Sequence, residues 1–160
     1  MKADLHCHTK LSDGALGIDD LLILAKKSGV TTLAITDHDC LAGTVRAKII
    51  GERYGITVIP AVELSCTDPK RKNKAHLLCY FPDKPERLEG LCKRNSLLRK
   101  NAGKLMVIKA SQRFPITPEF IVKCASVAQK PIVEFMHLVA EGLKRRNPKI
   151  FGSDAIQITA

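Results

Sequence analysis

Apolar and polar positions change period several times along the first half of the chain. Residues 3–6 make a short apolar run that reads as a strand. Residues 18–28 repeat apolar side chains at helical spacing, from a start near Asp19 to a stop at Gly29. Residues 30–36 are β-branched and apolar, as in a strand covered on both faces. Asp39 is then placed to cap a helix over 41–54 that ends at Gly55. Residues 56–64 and 75–81 read as two further strands. Strands and helices alternating at this spacing predict right-handed crossovers and a largely parallel sheet.

After Pro82-Asp83-Lys84-Pro85 the pattern turns helical. Residues 86–108 predict a long basic helix, 115–129 a second opened at Thr117-Pro118, and 132–146 a third. The organisation expected is an α/β part at 1–82, a helical subdomain at 83–150 and a weakly patterned tail at 151–160.

A length of 160 residues suits one domain with a real core, and 45% hydrophobic with 26% charged residues fits a globular class. No apolar run approaches the ~20 residues that span a bilayer. The N-terminus carries an aspartate and two histidines where a signal peptide needs an apolar core, so a cytoplasmic location is expected. Six scattered cysteines without Cys-x-x-Cys spacing predict reduced, mostly buried thiols. The net charge of +10 is concentrated at 70–109 and in Lys144-Arg145-Arg146, which favours anionic ligands. With no Trp, two Tyr and five Phe, a base-stacking platform is poorly supplied.

The chemistry-bearing residues sit where the predicted strands end. In parallel α/β folds, ligands gather at the carboxyl ends of strands. His6 and His8 end the first strand two residues apart, so both project to one face while Cys7 points away. Asp13 follows in the next loop, His38 directly follows the second strand, and Glu63 ends the third. His76 departs from this pattern, because it lies near the start of its strand. Four of the five histidines belong to this set, His137 being the exception. Imidazole and carboxylate without thiolate suit zinc, manganese, iron or cobalt. Six donors exceed what one catalytic ion with open positions needs, so two or three divalent ions sharing a carboxylate are expected. Such a site polarises a phosphoryl group and lowers the pKa of bound water to ~7, which favours phosphoester hydrolysis.

Asp4-Leu5-His6-Cys7-His8-Thr9, Ser12-Asp13-Gly14, Ala34-Ile35-Thr36-Asp37-His38-Asp39, Pro60-Ala61-Val62-Glu63 and Lys74-Ala75-His76-Leu77-Leu78 together resemble the PHP (polymerase and histidinol phosphatase) superfamily of metal-dependent phosphoesterases. The resemblance covers residues 1–82 and lies with the small bacterial branch that carries a helical insertion. It implies the N-terminal portion of a distorted (β/α)7 barrel with a helical insertion subdomain. It also implies hydrolysis of nucleotide phosphates or short oligonucleotides by metal-activated hydroxide. By position, His6 and His8 would hold one ion with Glu63. Glu63 would bridge to a second ion bound by His76, and Asp13 with His38 would serve a third. Arg94 and Arg99 would contact the substrate phosphate. The family pattern carries further strands and late ligands that this chain does not show before Ala160. The expectation is therefore a truncated relative that self-associates to cover an incomplete barrel. Two other readings stay open: a catalytically inactive metal-binding or scaffold module, and a non-specific nucleic-acid-binding protein.

Overall fold

The computed structural model describes residues 1–71, 73–128 and 130–146. The tail expected at 151–160 lies outside the described residues, as do the side chains of the Lys144-Arg145-Arg146 cluster. Among the described residues the order is β1 (Ala3–Cys7), α1 (Ile18–Lys27), β2 (Thr32–Ile35), α2 (Thr44–Tyr54), β3 (Thr57–Thr67), β4 (Lys74–Tyr80), α3 (Pro85–Arg113), α4 (Pro118–Val127) and α5 (Ile132–Arg146). Two compact units divide the chain, Met1–Ser96 and Leu97–Ala160.

In the first unit the four strands lie in the order β1-β2-β3-β4. β1, β2 and β3 are parallel, joined by α1 and α2 as crossovers, whereas β4 runs antiparallel to β3. The short connection from Thr67 to Lys74 accounts for that reversal, since a parallel return needs a crossover of a dozen or more residues. The Tyr80 hydroxyl donates to the Leu5 carbonyl at 2.7 Å, joining the two outer strands. Three strand spacings of ~4.8 Å would separate them in a flat sheet, beyond the reach of a tyrosine. The sheet is therefore curled.

The core beneath it is supplied by the residues that made the periodic signal. Ile18, Leu22 and Ala25 of α1 and Ala47 of α2 pack on Leu33 and Ile35 of β2 and on Ile56 and Val58. A second cluster sets Val62 and Leu64 of β3 against Cys92, with Leu88 and Leu91 from the first turns of α3. In the second unit Met106, Val107 and Ala110 of α3 pack with Ile121 of α4 and Met136 of α5. The Thr117 side chain accepts from the Phe120 amide, so α4 opens with a capped turn and Pro118 in it.

Several element boundaries differ from the expectation, β3 running on to Thr67 and α3 to Arg113, and the start of α2 differs for a clear reason. α2 starts at Thr44 with Gly43 as its cap residue, and Asp39 does not cap it. Asp39 adopts φ +49°, and its carboxylate accepts from the Ser65 amide and hydroxyl on β3 and from Asn95 on α3. Its amide bonds to the Glu63 carbonyl. A carboxylate already saturated by β3 has nothing left for a helix five residues on.

Candidate metal centre

The end of β1 supplies the first two donors. Cys7 turns inward, donating its thiol to the Ala34 carbonyl at 3.1 Å and packing against the core, so its neighbours His6 and His8 face the other way. Burial, reinforced by the Asp4 and Asp37 charges, pushes the Cys7 thiol up to about 12. Its side chain thus faces the core, away from the donor set.

Beyond His8 the chain turns back on itself. The Ser12 and Gly14 amides both donate to the Thr9 carbonyl, at 3.0 and 2.9 Å. A Cβ on Gly14 would lie 2.2 Å from the His8 carbonyl oxygen, so the close approach requires glycine there. Asp13, between these two tied residues, places Oδ1 3.3 Å from His8 Nδ1 and Oδ2 3.6 Å from His38 Nε2.

Past the end of β2 the sheet continues by a single bridge between His38 and Glu63. Glu63 is 3% exposed and lies at the centre of the cluster. Its Oε2 lies 3.0 Å from His6 Nε2, 3.1 Å from His8 Nε2 and 3.8 Å from His38 Nε2. Its Oε1 lies 2.7 Å from His76 Nδ1. The antiparallel direction of β4 explains how His76 reaches this place. The start of β4 lies beside the carboxyl end of β3, where Ser65 pairs with His76 and Glu63 with Leu78. His76 thus joins the strand-end set from the other side.

Burial raises the Glu63 carboxyl, but the hydrogen bond with His6 and the charges of His38, His8 and His76 outweigh it. The net shift is downward. Neighbouring rings lie 4.7–5.1 Å apart along the series His6, His8, His38, His76. Three overlapping groups of donor atoms result: His6, His8 and Glu63; His8, Asp13 and His38; His38, Glu63 and His76. Within each group the donor atoms lie within 4.8 Å of one another. Three imidazole nitrogens converge on one carboxylate oxygen with no thiolate among them. That donor chemistry fits divalent metal ions.

The two arginines are placed differently. Arg94 is exposed on α3 within the first unit. Arg99 belongs to the second unit, where it pairs with Glu134. Residues that strand-end logic passed over surround the donors. Asp37 is 2% exposed and accepts from the Thr9 amide, the Thr9 hydroxyl and the Ser12 hydroxyl, each at 2.7 Å. Asn95 donates to Asp39 at 2.8 Å and to the Ser65 carbonyl at 3.0 Å. Nothing in the local sequence, Thr36-Asp37-His38, marked Asp37, because its bonds run to the turn after β1.

Comparison with known proteins agrees with this fold. A phosphoribosyl 1,2-cyclic phosphate 1,2-diphosphodiesterase of Eggerthella lenta is 41% identical over 78 residues, covering 49% of this chain and 30% of its own. A 5'-3' exoribonuclease of Haemophilus influenzae is 45% identical over 64 residues, covering 40% of this chain and 23% of its own. The chain thus matches less than a third of the length of these relatives. A solved protein from Bifidobacterium adolescentis, described as a metal-dependent phosphoesterase, superimposes over 100% of this chain and 56% of its own, with TM-score 0.71 and 28% identity. The curled sheet and five helices match the partial barrel of that protein type. The PHP domain family matches residues 4–133, and the chain belongs to that family.

Proposed function

We propose that the chain carries a metal-dependent phosphoesterase centre acting on phosphate esters of nucleotides or short oligonucleotides. The observation that carries this reading is the convergence of four imidazoles and Asp13 around one buried carboxylate, Glu63. Two or three divalent ions, zinc, manganese or iron, suit the three donor groups. Such ions, when bound, polarise a phosphoryl oxygen and supply hydroxide near neutral pH.

The residues of this chain perform the remaining work. His6, His8 and Glu63 would hold one ion and His38, Glu63 and His76 another, with Glu63 common to both. Asp13 with His8 and His38 would serve the third position. The positive charge of the chain raises the local concentration of an anionic substrate. Arg94, exposed and in the same unit as the donors, is the first candidate to meet the substrate phosphate. Arg99 would have to leave Glu134 to do so.

The test is hydrolysis of nucleotide monophosphates and short oligoribonucleotides with added Mn²⁺ or Zn²⁺. Turnover should depend on metal and vanish in EDTA. Arg94→Ala should raise KM several-fold while the metal content stays unchanged. Bound metal without turnover on any of these substrates would instead support a binding or scaffold module.

A further inference from the structure

We propose that Asp37 is a positioning residue for the His8–Asp13–His38 metal position. This inference rests on the metal-centre reading and goes beyond it. Asp37 directly precedes His38, yet its carboxylate is not part of the donor set. Both oxygens are engaged elsewhere: Oδ1 accepts from the Thr9 amide and the Ser12 hydroxyl, and Oδ2 from the Thr9 hydroxyl. Thr9 itself is 0% exposed, and its hydroxyl oxygen also accepts from the Leu11 amide at 3.1 Å. All three donors to Asp37 come from the turn between β1 and α1. Of the donor set, that turn carries His8, directly after β1, and Asp13.

The connection to Asp13 is short. Ser12 is held by Asp37 on one side, and its hydroxyl oxygen lies 3.2 Å from Asp13 Oδ1 on the other. Gly14, on the far side of Asp13, is pressed against the His8 carbonyl and tied to Thr9. Asp13 is thereby suspended between two anchored neighbours, and Asp37 anchors the first of them. A carboxylate accepting three bonds fixes a turn far more tightly than a neutral acceptor, because each bond to an ionised group is the stronger kind. His6 and His76 lie outside this turn, and Glu63 meets it through His8. Loss of Asp37 therefore falls first on the position that needs Asp13, while the His38–Glu63–His76 group takes no donor from the turn.

The experiment counts ions per chain by elemental analysis after equilibration with Mn²⁺ and dialysis. The Co²⁺ absorption spectrum serves as a second readout. Asp37→Ala and Asp13→Ala should each hold one ion fewer than wild type. The double variant should hold no fewer than either single one, as expected for residues acting in series. Asp37→Asn keeps one neutral acceptor oxygen and should hold that ion more weakly than wild type but better than Asp37→Ala. Ser12→Ala should weaken that ion about tenfold, the scale of one hydrogen bond to a charged group. If Asp37→Ala fails to fold, Ser12→Ala still decides, since unchanged affinity overturns the role. An Asp37→Ala chain that folds and retains the Asp13-dependent ion also overturns it. A wild-type chain that binds no metal contradicts the metal-centre reading instead.

Discussion

Glu63 is a carboxylate at 3% exposure, and such burial is tolerated only because every side of it meets an imidazole. Its lowered pKa has a consequence for the metal-free protein. A carboxyl held below its usual 4.5 adds stability that is fully present above that value and is lost as pH falls through the lowered one. In EDTA, acid unfolding of wild type should therefore steepen below about pH 4.5 relative to Glu63→Gln. Parallel curves for the two proteins would contradict the role of Glu63 as the hub of the imidazoles. The clustering of these side chains was legible because histidine and carboxylate at strand ends carry a chemical signal of their own. Asp37 and Asn95 were not. Their importance lies in which turn or helix they hold, and that depends on contacts 25–56 residues apart in sequence.

At the scale of elements, the parallel β1-β2-β3 order followed from the alternation of periods. The reversal at β4 did not, because a strand's apolar pattern is the same in both directions. That reversal turns His76 from an exception into a regular member of the site. Asp39 shows the opposite failure, where a good capping residue was claimed by β3 first. α2 offers a test of how closely the crossover helix seats on the sheet. A Cβ at Gly51 would lie 2.5 Å from Val58 Cγ2 and 2.8 Å from the Ile56 carbonyl oxygen. Gly51→Ala gains ~1 kcal/mol in helix propensity, against an overpacking cost of roughly 1–3 kcal/mol. The net effect should be destabilising by about 1 kcal/mol in denaturant unfolding. A stabilised variant would show that α2 can withdraw from β3 without loss.

Across the whole molecule, the candidate metal donors among the described residues all belong to the unit Met1–Ser96, while the second unit has its own apolar cluster of α3, α4 and α5. The change of period after residue 82 marked the shift to helix, and the compact division falls later, within α3. A long helix can begin by packing on a sheet and continue into another core, which local periodicity does not reveal. Among the described residues no helix is long and apolar enough to cross a membrane. Ions that bind the folded chain and not the unfolded one should raise its stability by mass action. Saturating Mn²⁺ or Zn²⁺ should lift the melting temperature and EDTA should reverse the rise.

The central claim is that Glu63 joins neighbouring metal positions in one phosphoesterase centre. Metal content measured on wild type and on Glu63→Ala, side by side in the same Mn²⁺ equilibration, tests it most directly. The account predicts two or three ions per wild-type chain and a loss of more than one ion in the variant while the fold persists. Equal metal content in the two proteins would contradict it.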